Sequence, residues 1–369
     1  MKEYTNAKMS VRQFTILIIL ASIGDSILIL PTITAASAKQ DAWLSMVLAL
    51  LLGMAAGGLF AAIANRLRGE SLISAAQQRL GIWAGSTVSI LFIIEFFMCG
   101  LTLMSEMGQF MTTQLMPETP VNAILLFFLS VIIIAYRYGV EAFARMSELL
   151  FPVFMSLLAV LVVFLMPQAE IENLQPIAAG GLGPIMRGAF PPFAAGFMEM
   201  VVLLMLVPHV AAKTKLTRPI ISGFAIGGFL LLVIVALCVL VLGPNLMETK
   251  YYPTFVLAQK ISIGNFLERL EAILAFLWVI TVFFKMLLVY YSLTSGIAQL
   301  LRLKESRMLT IPLGMLLLVF TIAGTPNIAV YNEIIVRDYP WFDLSFCIAL
   351  PALFLVALHL TRKRKVKGG

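Results

Sequence analysis

The chain has 369 residues, of which 61% are hydrophobic and 12% charged, and its formal net charge at pH 7 is +7. Its mean hydropathy is +0.99. This composition excludes a soluble enzyme and indicates a polytopic helical membrane protein. The three cysteines all lie in apolar runs, so they predict neither a disulfide framework nor a thiolate metal site.

Ten apolar runs have the length of a membrane span, and the first looks like an anchor that is not cleaved. In chain order they cover about 14–36, 43–64, 84–115, 121–136, 149–167, 184–207, 220–243, 267–297, 309–324 and 341–361. No linker rich in proline, glycine or serine divides the chain. We therefore expect a single polytopic membrane domain over residues 1–369.

The first and sixth runs are interrupted at mid-depth by residues that break helices or carry charge. An unpaired backbone amide costs several kcal/mol in the bilayer, so an irregular backbone is tolerated only where it lines a protected cavity. Interruptions at matching places in two halves are typical of a midplane binding site. The sequence predicts that a small solute binds at Gly24, Asp25, Ser26, Ala194, Ala195, Gly196 and Glu199.

An offset of 170 residues aligns two features of the halves. It places Asp25 on Ala195, and it superposes the glycine clusters 53–58 and 223–228. Five spans per half is an odd number, so the halves run through the membrane in opposite directions, as in many secondary transporters. We expect inverted repeats over about 10–168 and 180–362. The glycines are also explained by close helix packing, which is compatible with the repeat.

The third run carries a stripe of polar residues on one helical face, where every member lies within about 40° of Glu95 around the helix axis. This stripe either lines a wet cavity, as a proton or water path, or forms a network between helices. Its members are Glu95, Thr102, Glu106, Gln109 and Thr113.

Asp25 and Lys285 lie inside apolar runs, where a charge needs a partner or water. Asp25 is either a buried acid that joins helices or a cavity group that contacts an amine, a proton or a cation. Lys285, in the eighth run, either extends to the membrane surface or pairs with an acid. The candidate partners are Asp25, Glu95, Glu106 and Glu199.

Most of the 26 lysine and arginine residues fall on one side of the ten runs. Both termini are therefore predicted to be cytoplasmic. The basic cluster 362–365 predicts contact with anionic lipid and not with nucleic acid. No nucleotide-phosphate loop, paired nucleophile or zinc-ligand spacing is present in the sequence, so we expect no enzyme, no cofactor and no metal.

Several short motifs together resemble the endospore germination permease family, the B subunits of spore nutrient receptors. The likeness covers essentially the whole chain and rests on Met9-Ser10-Val11-Arg12-Gln13-Phe14, Gly24-Asp25-Ser26-Ile27-Leu28-Ile29-Leu30-Pro31, Phe190-Pro191 leading to Glu199, Tyr136-Arg137-Tyr138-Gly139-Val140-Glu141, Arg145 and Glu148.

The resemblance implies an all-α membrane protein of the amino acid–polyamine–organocation superfamily, with ten transmembrane helices and the leucine-transporter-type inverted repeat of five plus five. It implies a multi-pass protein of the inner spore membrane that binds an amino acid or another small germinant. It also implies signalling to A and C partner subunits to start germination. A proton-coupled amino-acid permease and a passive water or ion path remain the alternatives.

Overall fold

The computed structural model describes residues 8–211, 215–260, 271–325 and 327–367, with side chains described up to residue 360. Helices make up nearly all of this part of the chain. They are α1 (Val11–Ile23), α2 (Ser26–Ala38), α3 (Ala42–Leu67), α4 (Leu72–Leu80), α5 (Ile82–Phe110), α6 (Val121–Tyr138), α7 (Val140–Leu165), α8 (Leu182–Phe197), α9 (Thr217–Thr249), α10 (Pro253–Gln259), α11 (Glu271–Leu300), α12 (Thr310–Gly324), α13 (Ile328–Glu333), α14 (Tyr339–Asp343) and α15 (Leu350–Lys367).

Nine helical segments of the described chain are long and apolar enough to cross a membrane, so the expected number of ten is not reproduced. The reason is the way the first two runs connect. The 3₁₀ turn Lys39–Asp41 joins α2 to α3, so that Ser26–Leu67 forms one segment of 42 residues. The first half of the first run, α1, is a separate apolar helix of 13 residues.

The beginnings of two runs differ from the expectation. The fifth run begins at Val140 and not near 149, because the charged first turns of α7 still form helix, with an Arg145–Glu141 pair at 2.5 Å. The tenth run begins at Ile328 and not near 341, since two π-helical segments, Ile334–Asp338 and Leu344–Ala349, continue its helix. Residues 267–270 of the eighth run lie outside the described residues.

The chain enters α1 through a capped and tethered turn. Ser10 and Gln13 form a reciprocal capping box that satisfies amides at the helix start. Met9 pairs with the chain after the sixth run, since its amide donates to the His209 carbonyl at 2.8 Å and its carbonyl accepts from Ala211 at 2.9 Å. The Gln13 side chain also donates to Glu148 of α7 at 2.9 Å. The beginning of α1 is thus fixed to two other spans.

The sixth run breaks later than its sequence indicates. α8 continues through Pro191 and Pro192 to Phe197, and a 3₁₀ helix, Met198–Met205, follows. Prolines are tolerated inside membrane helices where neighbouring groups satisfy the carbonyls that they leave free. Ala194, Ala195 and Gly196 are therefore helical, and the irregular backbone lies just after them.

Close packing of glycine-bearing helices builds the core. α3 packs along α9 and α8, while α1 lies against α9, α11 and α7. A Cβ atom on Gly53 of α3 would lie 2.5 Å from the Phe197 ring, and one on Gly223 of α9 would lie 2.5 Å from Ile18. The two glycine clusters thus permit backbone approach at both broken runs.

Candidate functional site

The first break is a single glycine between two helices. Gly24 has φ +35°, a conformation that side-chain-bearing residues rarely adopt, and its amide closes α1 by donating to the Leu20 carbonyl at 2.9 Å. α2 restarts at Ser26 after Asp25. The Gly24 carbonyl, which has left the α1 ladder, accepts the Thr281 hydroxyl at 2.7 Å.

The stem of Lys285 passes directly over Gly24. A Cβ atom on Gly24 would collide with the Lys285 side chain, and it would lie 2.8 Å from the Ala21 carbonyl oxygen. The absence of a side chain at this position is what allows the lysine to reach the interior of the break.

The second break releases a carbonyl group for the same lysine. An α-helix would pair the Ala195 carbonyl with the Glu199 amide, but α8 ends at Phe197 and a 3₁₀ helix, with its shorter-range hydrogen bonds, begins at Met198. The Ala195 carbonyl instead accepts from Lys285 Nζ at 2.9 Å. The same face of α11 carries Ser292, whose hydroxyl lies 3.2 Å from the Val202 carbonyl.

Lys285 joins both breaks through charge as well. Its Nζ donates to Asp25 Oδ1 at 2.5 Å and forms an ion pair with Glu199. The three residues are only 1–3% exposed. Two of the four candidate carboxylates are thus the partners of this lysine. Buried charges of this kind are tolerated because they are paired and hydrogen bonded.

A small cavity of about 10 Å³ adjoins the ion-paired group. It has room for about one water molecule. Its wall consists of Asp25, Ile29, Ile33, Pro191, Ala194, Ala195, Glu199, Ile335, Tyr339 and Pro340. The cavity therefore lies between the two broken spans and the tenth span, and the described arrangement is closed to a ligand of amino-acid size.

The polar stripe of the third span bonds partly within its own helix and partly to neighbouring segments. Thr102 donates to Cys99 of its own helix at 2.9 Å, and the Gln109 amide lies 3.4 Å from the Thr325 carbonyl. Glu106 accepts from Tyr331 of the tenth span at 3.2 Å.

Glu95 lies elsewhere, next to Cys347. Lys285 of the eighth span, which is not part of this stripe, contacts both breaks. Ser26 is buried beside the first break, and its hydroxyl has no hydrogen-bond partner among the described residues.

Several residues that contact this region were not predicted from the sequence. Thr281 lies one helical turn before Lys285, and that spacing alone was a usable signal. Asp343 is an acid inside an apolar run, the same signal that identified Asp25. Tyr331 and Tyr339 lie between the ninth and tenth predicted spans.

Residues 8–329 match the family described as spore germination protein. The chain belongs to the spore germination protein family. Spore germination protein KB of Bacillus subtilis (strain 168) is 27% identical over 368 residues, covering 98% of each chain. Spore germination protein YndE of the same organism is 24% identical over 365 residues, covering 98% of this chain and 99% of the relative. The family predicted from the short motifs is confirmed.

Solved transporter structures share the fold of this germination-family chain. Mhp1, a nucleobase-cation-symport-1 family transporter in a closed conformation with bromovinylhydantoin bound, has a TM-score of 0.70 at 13% identity, covering 98% of this chain and 94% of its own. MhsT in complex with L-phenylalanine has a TM-score of 0.64 at 12% identity, and the match covers 96% of this chain and 99% of MhsT. The leucine-transporter-type fold is confirmed, and the chain is a multi-pass membrane protein.

Proposed function

We propose that this chain is the nutrient-sensing membrane subunit of a spore germinant receptor. It binds a small germinant between the broken first and sixth spans, and an amino acid is the class of germinant that we propose. It signals this binding to A and C partner subunits in the inner membrane of the spore, with both termini cytoplasmic. Support comes from the family and from the transporter fold around a closed central site.

The observation that carries the proposal is the position of Lys285 between Asp25 and Glu199. A zwitterionic amino acid has an ammonium group and a carboxylate group a few ångströms apart. Its ammonium matches the two carboxylates, and its carboxylate matches the lysine and the first amides of α2, which have no acceptor within the helix. The cavity next to these charges supports the same region as the ligand site.

Binding requires this region to open, because the cavity of about 10 Å³ holds no more than a water molecule. The wall from the tenth span, which includes Ile335 and Tyr339, would separate from α2 and α8. A germinant that binds the open arrangement more tightly shifts the population toward it by that difference in affinity. The partner subunits would then respond to the new arrangement.

A proton-coupled amino-acid permease is the second candidate. The solved structures that share the fold are transporters, and Glu95 and Glu106 are buried carboxyl groups inside the third span. Such groups in membrane helices often exchange protons during transport. This candidate differs from a receptor subunit by one measurable property, net concentrative movement of the solute.

The experiment uses the purified full chain in two formats. Thermal-shift measurements against amino acids, sugars and nucleosides find the ligand, and liposomes with an imposed pH gradient then test uptake of that solute with a radiolabel. We expect stabilisation by the ligand without its accumulation, and a loss of stabilisation in Asp25→Asn. Lys39→Gln is the control, because Lys39 pairs with Glu248 at the protein surface.

Accumulation above the outside concentration would assign the chain as a permease. Failure of every compound to bind, both to the chain alone and to the chain with its partner subunits, would reject the proposed site.

A further inference from the structure

Three side chains that can ligate a metal meet where the third span packs against the tenth. Glu95 lies on α5, Asp343 ends α14, and Cys347 lies in the π-helical segment Leu344–Ala349. One carboxylate oxygen of each acid and the thiol sulfur all lie within 4.8 Å of one another. All three side chains are buried, with 0–1% exposed.

The carboxylates of this cluster have no other partner. Neither oxygen of Glu95 or of Asp343 forms a hydrogen bond with any described residue. Cys347 is the polar side chain that adjoins Glu95. Leaving a buried polar atom without a partner costs about 1–3 kcal/mol, and more for a charged group. Such atoms call for an explanation, and a bound ion provides one.

The local helix geometry directs the ligands toward one volume. Asp343 and Cys347 are four residues apart, so they lie on the same side of the tenth span, and the widened π turn begins between them. Single π turns inside helices occur frequently at functional sites. Glu95 faces them from the neighbouring helix.

We propose that Glu95, Asp343 and Cys347 bind a divalent transition-metal cation of the zinc type that joins the third span to the tenth. Calcium and magnesium take oxygen ligands, whereas zinc accepts thiolate together with carboxylate. Zinc lies about 2.3 Å from sulfur and about 2.0–2.2 Å from oxygen, so small side-chain rotations bring these atoms onto one ion. The sequence spacing did not show this site because one ligand lies about 250 residues from the others.

Cobalt(II) is the probe, since a cobalt–thiolate bond gives a near-ultraviolet charge-transfer band. The purified full chain, prepared without chelator, is titrated with Co²⁺ and its retained metal is measured by mass spectrometry after dialysis. We expect the band and stoichiometric retention in the parent protein. Asp343→Asn and Cys347→Ser should both lose retained metal, and Cys347→Ser should lose the band.

Cys238→Ser is the matched control, because Cys238 is equally buried but lies 3.9 Å from the Thr254 hydroxyl in another part of the protein. It should keep the band, and Zn²⁺ should raise its unfolding temperature as it does for the parent, since a ligand that binds only the folded state stabilises it. The proposal would be overturned if the parent protein showed neither the band nor retained metal, because protons alone would then neutralise the two carboxylates. It would also be overturned by a Cys347→Ser variant that keeps the band. The measurements contain no nutrient, so their result is independent of the germinant proposal.

Discussion

Thr281 donates its hydroxyl to the Gly24 carbonyl over 2.7 Å, so that α11 satisfies the backbone group which the first break releases. One turn further along α11, Lys285 donates to the Ala195 carbonyl, which the second break leaves free. Both irregular stretches are therefore stabilised from a single helix face. The variants below test how much of the structure depends on that face.

Lys285→Ala should lower the free energy of unfolding by about 3–5 kcal/mol, because it leaves two buried carboxylates without their counter-charge. Adding Asp25→Asn and Glu199→Gln to that variant should restore part of the loss. Thermal unfolding in detergent measures both effects. Lys39→Ala is the control and should cost at most about 1 kcal/mol, since its ion pair is half exposed. Equal losses for the two lysine variants would show that burial of Lys285 contributes nothing.

Asp25→Asn should weaken the germination response to nutrient much more than Glu118→Gln. Asp25 lies in the membrane interior against Lys285, whereas Glu118 is exposed in the turn between α5 and α6. A solvated charge has little interaction energy to lose. Dose–response curves of spores that contain equal amounts of each variant provide the measurement. Superimposable curves would count against a ligand role for Asp25.

Gly53→Ala should destabilise the protein by about 1–3 kcal/mol, because its new methyl group would press on the Phe197 ring at the second break. Gly58→Ala, five residues along the same helix, meets no atom within 4 Å. It should be neutral or stabilising by up to about 1 kcal/mol. Unfolding temperatures that shift equally for both alanines would contradict the packing role of Gly53.

Single cysteines at positions 68, 215 and 304 should react with a membrane-impermeant reagent only from the cytoplasmic side. All three positions are exposed, and the native cysteines are buried, so background labelling is low. The basic residues around these positions predict the orientation. Labelling of position 215 from the opposite side of intact vesicles would reverse the assigned topology.

The sequence was sufficient for the features that hydropathy and charge determine. Asp25, Glu199 and Lys285 could be named as candidate residues before the fold was known, because a charge at mid-membrane is costly unless it is paired. The motif-based family resemblance and the fold class were also confirmed. The inverted repeats over about 10–168 and 180–362 remain a prediction.

Other features depend on contacts between distant segments, which periodicity does not contain. Pro191 and Pro192 predicted an early break, but packing keeps α8 helical to Phe197. The choice of Asp25 and Glu199 over Glu95 and Glu106 as partners of Lys285 required the arrangement of four spans. The proximity of Asp343 to Glu95 could likewise be seen only once the arrangement of the spans was known.

The pairing of Met9 with residues on either side of Val210 has a mechanical consequence. Because α1 begins two residues after Met9, the start of the first broken span and the end of the sixth move as one junction. A neighbouring protein that pulled on this junction would apply force to both broken spans through a single attachment point.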